Sequence, residues 1–469
     1  MKSFSFFKGL SWLILLNALV KPLWIFFIDR QVQVSAGNEA YGKYFAVLNL
    51  SYVFLFLADA GLSNLLNQRV GSRQHVNTLQ LVRLKGVLIL IYATICIFIG
   101  WLTHITQWTF LLYVILIQSL GSVFLFLRSF ITAHQYFLAD AVFSVIDKLL
   151  MLVICGSIIY TSFFGKMDLV RFLQIQAICT TIAVAVAARF LWKIHGTAKA
   201  DKMRMEGIIP MVIPFSLIIF LMSVHNRLDG FLLERLHFHG AQEAGIYAAA
   251  YRLLDAGNMV GYLTAFFLVP FVARHQQKAP IVQHAVLVAR HGLLIFAAGL
   301  LPFVIVFAPC IQQMLYHSQD PYSSNVIRLC IVSLPGYFLV HVYGSVLTAT
   351  AQLNRFISIL LISVALNTGL NLLLIPVYGA SGACIAAIIS EYFCGFATCV
   401  IASKRCRIAV NVRSVLVYLL STALVTVLFY FGPVAITNVW IILVIAVLIC
   451  LALLAAQLGL LRKYFVSLR

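Results

Sequence analysis

Arg227 and Asp229 stand in NRLDGFLLERL (residues 226–236), and Arg252 and Asp255 in YRLLDAGNMVG (residues 251–261), in surroundings that are otherwise almost wholly apolar. A guanidinium is a planar fork of donors that fits the oxygens of a phosphate or carboxylate, and a neighbouring aspartate can orient it and offset its charge. Spacing adds a constraint: Arg252 and Asp255, three apart, share a helical face and can pair, whereas Arg227 and Asp229, two apart, diverge. At least one of the latter therefore needs water or a partner on another helix. Lys21, Asp59 and Lys148, the last beside Asp147, are further ionisable groups inside apolar runs, and His225 lies four residues before Asp229 as a candidate protonation switch. Each has a plainer alternative role as a structural salt bridge or a side chain reaching to the interface. That role is preferred for Asp29, Arg30, Arg128, Asp140, Glu234 and Arg235, which lie near expected helix ends.

The elements that must carry these groups follow from composition. Of 469 residues, 62% are hydrophobic and only 10% charged, where soluble domains run near a quarter charged. Mean hydropathy is +1.01. Apolar runs of about 20 residues, the length a helix needs to cross a bilayer, predict an all-α integral membrane protein. We place its fourteen transmembrane helices at 8–28, 41–66, 85–102, 108–127, 141–164, 169–192, 208–233, 244–272, 287–311, 326–350, 356–377, 380–402, 414–431 and 439–461. No alternating barrel-type segments occur. The start, MKSFSFFKGLSWLILLNALVKPLW, lacks a small-residue cleavage site and reads as an uncleaved first span.

The net charge of +19 is spread over many short connections rather than gathered in one tail, which argues against nucleic acid as partner. Arg69 and Arg73, Lys199 and Lys202, Arg274, Lys278 and Arg290, and Arg405 and Arg413 fall at alternate connections, so both termini are expected in the cytoplasm. The basic connection KIHGTAKADKMRMEG separates two sets of six spans, and YGKYFAVLNLSYVF can be laid on AGIYAAAYRLLDAG. We expect two pseudo-repeated six-helix bundles, 1–200 and 201–403, around a central cavity, with two additional helices in 404–469.

The remaining motifs carry less. PVYGASGA lacks the GK[ST] ending of a phosphate loop and reads as a tight helix-to-helix turn of small residues. Pro210, Pro214, Pro270, Pro302, Pro335 and Pro376 are candidate kinks. The cysteines show no metal-ligand spacing and read as small core hydrophobes, so neither metal nor cofactor is expected beyond a coupling proton or sodium ion. The longest outer loop, 312–325, has no Lys or Arg, which disfavours an enzyme with catalytic cations there. Its Tyr316 and Tyr322 read as interfacial belt residues ahead of glycan contacts.

RLDGFLLERL followed by AGIYAAAYRLLDAGNM resembles the seventh and eighth helices of bacterial polysaccharide flippases of the Wzx type, in the multidrug/oligosaccharidyl-lipid/polysaccharide (MOP) exporter superfamily. AYGKYFAVLNLSYVFLFLADAGLSNLLNQRV is similar to the family's second helix, and NTGLNLLLIPVYGASGACIAAIISEY to its eleventh and twelfth. The resemblance implies a bacterial inner-membrane transporter, not an enzyme, that moves a polyprenyl-diphosphate-linked oligosaccharide outward among membrane lipids, in a pathway shared with a polysaccharide polymerase or ligase. On that reading Lys21, Arg227 and Arg252 bind the diphosphate, while Asp229, Asp255, Asp59 and Lys148 balance charge or couple an ion. A multidrug antiporter of the same superfamily is the nearest alternative, and a membrane-embedded polymerase or ligase a more distant one.

Overall fold

The computed structural model describes residues 12–13, 15–17, 19–63, 66, 78–134, 136–161, 167–195 and 209–406. Among these residues twelve helices follow one another: α1 (residues 19–36, with a π-helical stretch Trp24–Asp29), α2 (Asn38–Phe54), α3 (Thr78–Leu102), α4 (Trp108–Ala133), α5 (Phe137–Thr161) and α6 (Leu169–His195), then α7 (Ile209–Leu236), α8 (Gly240–Arg274), α9 (Ala279–Tyr316) and α10 (Pro321–Ala349), with Leu353–Cys406 forming α11 (residues 353–378) and α12 (residues 380–406). The chain is thus an all-helical, multi-pass membrane protein. Among the described residues ten helical stretches are long and apolar enough to span a bilayer, the last of them being the α11–α12 pair. The expected spans 414–431 and 439–461, the start of the first span and the 200/201 boundary lie outside the described residues.

Local chemistry explains the breaks. Gly379, at φ 55 and ψ −131, is the non-helical point between α11 and α12, so PVYGASGA is a tight turn between two helices. Asp320 caps α10 by accepting from the backbone of Tyr322 and Ser323, with Pro321 opening the helix. Ser333 divides α10 into Pro321–Val332 and Leu334–Ala349.

Several expected boundaries move, the end of the first span from 28 to Ala36 among them. α2 stops at Phe54, passes into a 3-10 turn Leu55–Ala58, and is broken by left-handed Ala60 (φ 42) and Gly61 (φ 76). Asp59 therefore sits just beyond a helix rather than inside one. α3 starts at Thr78 instead of 85, which carries Lys85 about two turns into the helix. α9 starts at Ala279 instead of 287, so Arg290 lies inside the helix rather than near its start, and it is buried. Its start was legible after all, since Pro280 stands at the first helical positions.

Two compact units result, Met1–Gly245 and Ile246–Arg469. In the first, α7 packs on α2, α4 on α6, and α5 on α6 and the π stretch of α1. Its closest approach is between α2 and the start of α8. A Cβ on Gly42 would overlap the Ala241 carbonyl, and one on Gly245 the Asn38 carbonyl, so only glycines permit this backbone-to-backbone crossing. In the second unit Leu334–Ala349 packs on the α11–α12 pair, and α10 is mostly buried, whereas α3 in the first unit is mostly exposed. Leu90, Phe98 and Trp101 of α3 are exposed, at no penalty in a solvent of lipid tails.

Candidate functional site

Three clusters of ionisable groups in the first unit involve the residues expected to act. The Arg227 guanidinium lies 4.9 Å above the Tyr52 ring, from α7 to α2, and Asp229 one turn-face away is buried. A cation–π contact is worth about 0.5–2 kcal/mol, rising as the pair is withdrawn from water. It restricts the plane of the guanidinium. Lys148 on α5 stands 4.3 Å over the Trp24 ring of α1 and 3.4 Å from the Asp147 carboxylate. Lys21, half-buried, precedes Trp24 by three residues on the same helix.

The third cluster is closed. Lys85 Nζ, its side chain 3% exposed, donates to Asp59 Oδ1 at 2.8 Å and to Ser122 Oγ at 2.7 Å. The Ser122 hydroxyl donates in turn to the Ala58 carbonyl, and the Ser63 hydroxyl donates to Asp59 at 2.6 Å. These bonds tie α3 and α4 to the broken end of α2 and give Asp59 a structural partner. Hydropathy could not reveal Lys85, because a lysine beside an apolar run reads as the edge of that run. The same unit holds the two-pronged pair of Arg128 with Asp140, at 2.7 and 3.2 Å.

In the second unit Arg252, 7% exposed, donates from Nη1 to the Tyr316 hydroxyl at 3.2 Å, and that hydroxyl donates to the Ala249 carbonyl. Tyr316 at the end of α9 thus holds the guanidinium of α8. Asp255 follows one turn later, half-buried. Arg290 is enclosed beside Tyr343 and His291, and His341 bonds Asn258 at 3.0 Å. Asn371 donates to Asn367, which donates to Ser390, between α11 and α12. Among the described residues no group of three or more His, Cys, Asp or Glu side chains is arranged to hold a metal ion. A guanidinium held in place can donate to an oxyanion.

No family model matches the chain, and no curated protein matches its sequence. Solved structures do match. An inward closed structure of the lipid II flippase MurJ has a TM-score of 0.65 at 12% identity, covering 99% of each chain. The Vibrio cholerae MATE transporter VcmN, as a mutant, has a TM-score of 0.60 at 15% identity, covering 87% of this chain and 97% of its own. An inward-facing multidrug resistance MATE transporter of the MOP superfamily has a TM-score of 0.57 at 12% identity, covering 84% of this chain and 94% of its own. The fold of this chain is that of MOP-superfamily transporters.

Proposed function

We propose that this protein is a flippase that carries a polyprenyl-diphosphate-linked oligosaccharide from the cytoplasmic to the outer leaflet of a bacterial inner membrane, with both termini in the cytoplasm, for surface polysaccharide assembly. The observation that carries this reading is one of length. The lipid II flippase covers 99% of this chain, while the MATE transporters leave uncovered a share about as large as the expected C-terminal appendage, 404–469.

The chemistry of the buried groups supports an anionic cargo. Arg252 and Arg227 are each held by an aromatic residue, Tyr316 through its hydroxyl and Tyr52 through its ring face, which restricts how each guanidinium is oriented. With Lys21 they would bind the diphosphate, Asp229 and Asp255 offsetting their charge when no cargo is present. Lys148 beside Asp147 would balance charge, and a proton or sodium gradient would drive the cycle. The prenyl tail stays in lipid and the glycan travels in water, because sugar hydroxyls in hydrocarbon cost several kcal/mol each. Alternating access then requires only that one side of the site open at a time. A polymerase or ligase would take over the delivered product.

The test is transport of a fluorescent polyprenyl-diphosphate oligosaccharide in proteoliposomes. Arg252→Ala is expected to slow it by about ten- to a hundredfold, the worth of a hydrogen-bonded charge, and Arg252→Lys to recover part of the rate. Export of an organic cation, with no movement of any lipid in a panel, would instead make the protein a multidrug antiporter.

A further inference from the structure

Arg290 is the largest of the fully buried side chains among the described residues, 1% exposed, about 16 Å along α9 from its start. A guanidinium has five N–H donors and keeps its charge at any physiological pH. Here Nη1 donates to the Tyr343 hydroxyl at 3.2 Å, Nη2 faces the His291 ring nitrogen at 3.2 Å, and Nε meets no acceptor. Among the described residues no Asp or Glu forms an ion pair with it. Arg128 shows what is missing: there the Nε and Nη2 edge grips both oxygens of Asp140. An enclosed cation with two neutral partners costs several kcal/mol, so the fold retains at Arg290 a charge that packing alone would select against.

We propose that Arg290, Tyr343 and His291 form a binding site for a phosphate-class oxyanion. The Nε and Nη2 edge would take two of its oxygens as Arg128 takes those of Asp140, and the Tyr343 hydroxyl, accepting from Nη1, would donate its own proton to a third. The turn preceding α9 carries the exposed cations Arg274 and Lys278, whose field draws anions toward this end of the helix. The anion is either the headgroup of a diphosphate lipid, in which case this site rests on the flippase reading and adds to Arg252, or a free phosphate, in which case it stands without that reading.

The full-length protein in detergent is unfolded thermally with sodium phosphate, sodium pyrophosphate or a prenyl diphosphate, each against sodium chloride at equal ionic strength. Wild type is expected to show a saturating rise in melting temperature. A rise with the inorganic anions identifies a free-anion site, and a rise with the prenyl diphosphate alone identifies the lipid headgroup; either supports the proposal. Arg290→Met is expected to melt higher than wild type without anion and to lose the anion-dependent rise, a combination that a structural arginine cannot produce. Tyr343→Phe, the milder change, is expected to weaken the anion by about tenfold, and it carries the test if Arg290→Met does not fold. An equal rise with chloride, the full rise in Arg290→Met, or unchanged affinity in Tyr343→Phe would overturn the proposal. Since transport is read separately through Arg252, failure here leaves the flippase reading intact.

Discussion

Lys85 in the first unit and Arg290 in the second are both basic, both enclosed, and both two to three turns inside a spanning helix, but only Lys85 meets a carboxylate among the described residues. The difference teaches that burial of charge serves two ends within one fold. Lys85 closes a joint: Asp59 and Ser122 satisfy it, and the three together fasten α3 and α4 to the point where α2 breaks. Arg290 meets only a tyrosine hydroxyl and an imidazole, and its Nε has no acceptor. A satisfied pair is architecture, and a cation with neutral partners is a site.

Four substitutions break or sharpen that contrast. Asp59→Ala leaves Lys85 enclosed without its carboxylate and is expected to lower stability by about 3 kcal/mol, the low end for a broken buried pair because Asp59 itself is 32% exposed. Chemical or thermal denaturation in detergent reads this. The same measurement on Arg290→Met, without anion, is expected to move the other way by about 2 kcal/mol, because an apolar side chain replaces a charge that lacks a counter-ion. A loss of similar size instead would place Arg290 with Lys85 as architecture. Ser122→Ala removes only one of the two acceptors of Lys85 and is expected to cost about 1.5 kcal/mol. Asp320→Ala serves as a control outside the spanning segments, with an expected loss of about 1 kcal/mol from the α10 cap.

The Asp320 control also has a pH signature of known sign. Its carboxyl is held below the usual carboxylate range, chiefly by the Ser323 hydroxyl and also by the backbone N–H groups of Ser323 and Tyr322. The cap's contribution is therefore complete above the unfolded carboxylate value and is lost as pH falls through the lower folded one. Comparing wild type with Asp320→Ala, the difference in melting temperature should vanish in acid and be constant from pH 5 upward. A difference that persisted unchanged in strong acid would assign it to packing instead.

Much of the fold was legible because a bilayer demands about 20 apolar residues per crossing, and that demand is local. The α4, α5, α6 and α7 boundaries follow the hydropathy of their own residues, and the glycines of PVYGASGA announce the turn at Gly379. The candidate site was legible only in part. Arg227 and Arg252 stand out as cations in apolar runs, whereas their aromatic supports, Tyr52 and Tyr316, have ordinary sequence surroundings. Lys85 and Arg290 were hidden by their positions near the ends of apolar runs, where a charge reads as the limit of a span.

Composition and spacing alone therefore determined that the chain is a bundle of membrane-crossing helices, where most of them lie, and that PVYGASGA turns the chain between two of them. Tertiary structure decided which buried charges are matched. Pairing depends on the side chain a neighbouring helix presents at 3 Å, and in Lys85 with Asp59 or Arg252 with Tyr316 that neighbour lies 26 or 64 residues away. Hydropathy reports each residue's preference for lipid or water, but the cost of a buried charge depends on its partner.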